Sequence, residues 1–266
     1  MFTKLLKHEF KGVSKPLTLV SIAALIAGAL GGFLFKLIYD EVFMEQTEVL
    51  IAVVAILLGG IFIALAAYGI GTSILLLYRF YKNKFSDEGY LTFTTPATAH
   101  QILFASIVNI LIWSVICTIV LIVAITLVLW PLLSDSGNFQ HFLDINDAAN
   151  YIEVQTGDVL LSILSFISSV AYSLILPLLS ITIGSLIAKK HKLLCAFAVG
   201  YGISMAVSTL NGIINVTVYL DELTNVVAST STALQSTLLI PSVIQLIIGV
   251  GGYFLMHYLI DKHLNI

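Results

Sequence analysis

The chain has 266 residues, of which 59% are hydrophobic and only 10% charged, and its mean hydropathy is +1.03. Soluble domains carry about one-quarter charged residues, so this composition excludes a soluble globular protein and describes one that lives across a bilayer. The net charge of −3 offers no basic surface for nucleic acid, and the two cysteines, Cys117 and Cys195, lie in apolar runs without the paired spacing of a disulfide framework or a zinc site.

Residues 2–15, FTKLLKHEFKGVSK, wound at about 100° per residue, place Phe2, Leu5, Leu6, Phe10 and Val13 on one face and Lys4, Lys7, Lys11 and Lys15 on the other. This pattern predicts an interfacial amphipathic helix over residues 1–15, ahead of a six-helix transmembrane domain over 16–266. Pro16 opens a full-length span with no small-residue cleavage site before it, which predicts a retained N-terminus. Glu9 falls within the apolar face. It either reaches to the headgroup level or makes a polar contact with a neighbouring segment or partner subunit.

Counting apolar runs against the about 20 residues that cross a bilayer predicts six spans, near 16–38, 49–78, 101–130, 158–188, 193–217 and 237–260. Six spans put both termini on one side, and the basic residues decide which. With the N-terminus inside, Lys4, Lys7, Lys11, Lys15, Arg79, Lys82, Lys84, Lys189, Lys190, Lys192 and Lys262 face the cytoplasm, while Lys36 alone faces out. Acidic residues mirror this, with Glu9, Asp87, Glu88 and Asp261 inside and the rest outside. The expectation is a multi-pass plasma-membrane protein with cytoplasmic termini.

The second and third spans are about 30 residues each, or about 45 Å of helix, against a hydrocarbon core of about 30 Å. They are expected to protrude or tilt. Between them lies the inner segment Arg79 to His100, RFYKNKFSDEGYLTFTTPATAH, in which Tyr78, Phe80 and Tyr81 form an aromatic belt and the helix continues through Lys82 and Lys84. Gly89 then ends that helix, Thr95 caps a turn opened by Pro96, and Thr98 with Gln101 has the spacing of a capping box. A rigid, polar element joined to two spans suits a coupling role. In that reading Phe85, Tyr90, Leu91 and Phe93 enter a groove on a partner and Asp87 and Glu88 meet its basic residues. The alternative is a loop on the headgroups with those aromatics in lipid.

On the outer side, 131–157 is the largest loop, with a short helix expected over 146–154. Residues 218–240 form a second loop, apolar enough to contain a short re-entrant or surface helix. The turn from Lys189 to Lys192 is too tight to hold a domain. Gly28 and Gly32 form a GxxxG pair, and Gly59, Gly60, Gly69, Gly71, Gly249, Gly251 and Gly252 mark other close approaches between helices. Pro177 is expected to kink the fourth span.

Several chemistries lack their residues. No GxxxxGK[ST] loop is present, so the chain has no P-loop of its own. The spans carry Asn109, Asn211, Asn215 and Gln245 as polar candidates to line a pathway, but no Asp, Glu, Lys or Arg at membrane depth, as an intramembrane enzyme or proton-coupled carrier requires. The six histidines show no HExxH and no ligand spacing, so no metal is expected.

Two stretches carry a family resemblance: KLLKHEF, Lys4 to Phe10, and RFYKNKFSDEGYLTFTTP, Arg79 to Pro96. With the six-span layout, the chain resembles a Firmicute-type permease subunit of an ABC-2 (type V exporter-like) ATP-binding cassette transporter. The resemblance implies an all-α membrane fold in which the first inner loop, here Phe85, Asp87, Glu88, Gly89, Tyr90, Leu91, Phe93 and Pro96, docks on separate ATPase subunits that hold the ATP and Mg. It implies that the N-terminal helix with Glu9 and Phe10 is a connecting element, and that a second permease, identical or paralogous, shares the pathway. Gln101 to Ala105 departs from the basic residue common at the third-span start in that family. The cargo expected is a peptide or amphiphile for export. A second reading is a stand-alone membrane protein that senses or protects against antimicrobial peptides, drawing cationic cargo to its acidic outer rim.

Overall fold

A computed structural model describes residues 2–39, 48–86, 98–134, 156–188, 190–224 and 230–263. The described residues form six α-helices and no strand. They are α1 (Phe2–Tyr39), α2 (Glu48–Phe85), α3 (Ala99–Ser134), α4 (Thr156–Ile187), α5 (Lys192–Thr224) and α6 (Thr230–His263). All six are long and apolar enough to cross a membrane. This agrees with the six runs expected from sequence, and it follows from uninterrupted apolar stretches in which every backbone polar group is satisfied within its own helix.

The boundaries differ from expectation in two places. Residues 2–15 are not a separate element: α1 passes through Pro16 without a break and is 38 residues long. Proline costs a helix one hydrogen bond in its interior, and here the flanking sequence contains nothing else that stops the helix. Segment 218–240, read from sequence as a loop with room for a short helix, is helical at its described residues. α5 runs on to Thr224 and α6 starts at Thr230, with Pro241 inside it. The stretch before Pro241 has neither Gly nor Pro, so the helices extend beyond the apolar spans Lys192–Thr217 and Leu238–Lys262. Pro177 sits inside α4 without ending it. The helix expected over 146–154 lies outside the described residues.

The helices group into two compact units. The first takes α1, α2 as far as Arg79 and α3 from Val108 onward; the second takes the end of α2, the first turns of α3, and α4 to α6. In sequence 16–266 reads as one domain, but α2 and α3 are each long enough to contribute to both units.

In the first unit, α1 buries one stripe, Glu9, Val13, Leu17, Ser21, Ala24 and Gly28, continued by Gly31 and Gly32. Its spacing of fours and threes keeps it on one face of a 3.6-residue helix. The stripe ends in small residues because α3 comes against it at backbone distance. A Cβ on Gly28 would lie 2.6 Å from the Ala124 carbonyl oxygen, and one on Gly32 would fall on the Leu127 carbonyl oxygen. Higher up, the Ser21 hydroxyl and Tyr68 hydroxyl share a hydrogen bond of 2.9 Å between α1 and α2. Tyr68 and Thr72 in turn reach Cys117 of α3. Three helices thus share one buried polar chain, which water cannot replace at this depth.

In the second unit, α4 packs against both α5 and α6. Gly184 lets α5 in so closely that a Cβ there would collide with the Ala196 backbone, and Gly252 of α6 would meet Ile175 at 3.1 Å. The outward faces are apolar and exposed, among them Ile22, Phe33, Ile56, Ile63, Phe166 and Phe254, as lipid contact requires.

Candidate functional site

The docking candidates fall at the end of α2 and in the segment that follows. Asp87, Glu88, Gly89, Tyr90, Leu91, Phe93 and Pro96 lie outside the described residues. Phe85 is described, and it is the last residue of α2. Its ring meets Phe80 edge to face with centroids 6.1 Å apart. Its carbonyl, one of the acceptors that a helix C-terminus leaves unsatisfied, accepts a hydrogen bond from Lys192 Nζ at 3.3 Å. Lys192 opens α5, so the turn after α4 is tied to the end of α2. Beyond the gap, Thr98 begins the next helix: its hydroxyl accepts from the Gln101 N–H at 3.3 Å, and its carbonyl accepts from the Ile102 N–H at 3.1 Å. The end of α2 and the start of α3, which flank the segment, both belong to the second unit.

Lys84, which the sequence assigns to the cytoplasmic side, is only 2% exposed. The signal was present in the sequence. The buried face of α2 runs Leu65, Tyr68, Thr72, Leu76 and Phe80, and the next step of four lands on Lys84. The helical period places it inward, and a lysine buried to this extent requires a polar partner for its ammonium.

In the first unit, Glu9 continues the buried stripe of α1 at 7% exposure. This favours the inward of the two orientations left open by sequence. Phe10 stacks on Trp113 of α3, with ring centroids 4.8 Å apart and planes inclined by 24°. Two residues on, the Arg79 guanidinium lies against Gly12, 2.5 Å from where a Cβ would stand, so a larger residue there requires the arginine tip to shift. The N-terminal turns of α1 are thereby held by α2 and α3 together.

The four polar residues considered for a pathway do not form one lining within either unit. Asn109 belongs to the first unit and is 4% exposed, while Asn211, Asn215 and Gln245 belong to the second. The side-chain oxygens of Asn109, Asn211 and Asn215 are buried with no hydrogen-bond partner among the described residues. Asn211 and Asn215 are one turn apart on α5, which makes them the pair best placed to act together.

The structure also brings together residues that sequence spacing kept apart. His100, in the first turn of α3, and His257, near the end of α6, have ring centroids 5.9 Å apart. Among the described residues no group of three or more His, Cys, Asp or Glu side chains is placed to hold a metal ion.

The described residues thus form an all-helical protein with six helices long and apolar enough to span a membrane. Compared with known proteins, the chain matches no family model, no curated protein and no solved structure.

Proposed function

We propose that the chain is the membrane-spanning permease subunit of an ABC-2 type ATP-binding cassette transporter, seated in the plasma membrane with both termini in the cytoplasm. It has no nucleotide-binding loop, so the energy comes from separate ATPase subunits that bind ATP and Mg. A second permease, identical or paralogous, completes the pathway, and a peptide or amphiphile is the exported cargo. Eleven basic residues assigned to one side against Lys36 on the other support the orientation.

The observation that carries the reading is how the helix ends flanking segment 86–97 are held. The α2 helix runs unbroken to Phe85, Lys192 of α5 holds the Phe85 carbonyl, and Thr98 caps the start of α3. A partner can shift a two-state equilibrium only through contacts that differ between the states. Contacts made on this segment bear directly on α2 and α3, whose ends flank it, and on α5 through the Lys192 bond to Phe85.

The test is recovery of the partner. When the tagged chain is purified from its native membrane, an ATPase with Walker motifs is expected to come with it. Glu88→Ala and Tyr90→Ala are each expected to cost about 1.4–2 kcal/mol of association, or ten- to thirtyfold in affinity. Equal recovery with both substitutions contradicts docking at this segment.

A further inference from the structure

Within the second unit a small cluster of rings sits where α3 begins and α6 ends. The His100 and His257 centroids are 5.9 Å apart with planes inclined by 63°. Tyr253, one turn before His257, places its ring 5.8 Å from His100, and its hydroxyl is buried with no hydrogen-bond partner among the described residues. His100 is exposed, its ring also meeting that of Phe104 at 6.2 Å, while His257 is half-buried.

This geometry is close to that of two imidazoles on one ion. With a metal–nitrogen bond of about 2.0–2.1 Å and a tetrahedral angle, two coordinating rings have centroids about 5 Å apart, a closure of less than about 1 Å from the spacing observed. Rotation of the exposed His100 ring supplies that movement. Lys262, the nearest ammonium along α6, is turned away: its Nζ donates to the Tyr258 hydroxyl at 2.9 Å. Asp261 stands one turn beyond His257 on the same helix and adds negative charge at that end.

We propose that His100 and His257 form a two-imidazole site for a borderline divalent transition ion, in the class of Zn2+, Ni2+ and Cu2+, with water in the remaining positions. Imidazole nitrogens select these ions, whereas Mg2+ and Ca2+ require oxygen ligands. The Tyr253 hydroxyl, without a hydrogen-bond partner among the described residues, is carried by a ring that meets His100 and would be available to a metal-bound water. An ion held there clips the first turn of α3, directly after segment 86–97, to the end of α6.

The full chain in detergent, titrated with Cu2+ and followed by electron paramagnetic resonance, tests the site. One ion per chain with superhyperfine coupling to two nitrogens is the expected result. His100→Ala and His257→Ala should each weaken binding at least tenfold and lose the two-nitrogen signature, while His191→Ala leaves both unchanged. His100 is exposed, so its substitution spares the fold, and an unchanged thermal unfolding curve without metal verifies this. A two-nitrogen signal that persists in either of the first two variants, or that vanishes in His191→Ala, overturns the proposal, as does wild-type protein that binds no ion stoichiometrically.

Discussion

Gly32 of α1 and Gly60 of α2 are the same residue in two apolar helices, yet they do opposite things. A Cβ on Gly32 would strike the Leu127 carbonyl, whereas nothing lies within 4 Å of one on Gly60. Gly59 and Gly71 share the open environment of Gly60, and Gly28 and Gly184 share the crowded one of Gly32. A glycine in a span therefore states that close approach is permitted; only the neighbouring helix decides whether it happens. The first unit uses this permission along the α1–α3 seam, and the second uses it between α4 and α5.

The comparison can be broken by substitution. The largest effect is expected from Gly184→Val and Gly32→Val, because the atoms they meet are backbone and cannot turn aside. Each should cost about 3 kcal/mol or more, read as loss of folded protein in thermal unfolding followed by circular dichroism. Tyr68→Phe removes the bond to Ser21 and should cost about 0.6–1.7 kcal/mol. Tyr68→Phe combined with Ser21→Ala should cost little more than either alone, since each already removes the shared bond. Gly60→Ala should fall within about 0.5 kcal/mol of wild type, a change typical of exposed sites. If Gly60→Ala proves as damaging as Gly32→Val, that face is covered in the assembled protein and the contrast between the two glycines is false.

Much of the architecture was legible in the sequence because the bilayer enforces it. Six apolar runs of sufficient length become six helices, and Thr98 with Gln101 announces the cap that is found. What was not legible depends on neighbours. Pro16 reads as a boundary, yet α1 continues through it, and the Ser/Thr-rich stretch before Pro241 reads as loop, yet it is helix. Lys84 shows charge competing with period, and the period of α2 was the better guide. The meeting of His100 with His257, and of Lys192 with the Phe85 carbonyl, joins residues far apart in the chain, and no local pattern encodes it. Of the docking residues, Phe85 alone falls among the described residues, so its ties to Phe80 and Lys192 are the part of that site on which geometry speaks.

The central claim is that a separate ATPase acts on the segment between α2 and α3, and a photoreactive amino acid at Tyr90, activated in native membranes, tests it most directly. The account predicts an adduct between this chain and a Walker-type ATPase, absent when the same group stands at Phe33 on the exposed apolar face of α1. An adduct formed with lipid alone, at both positions, would contradict it.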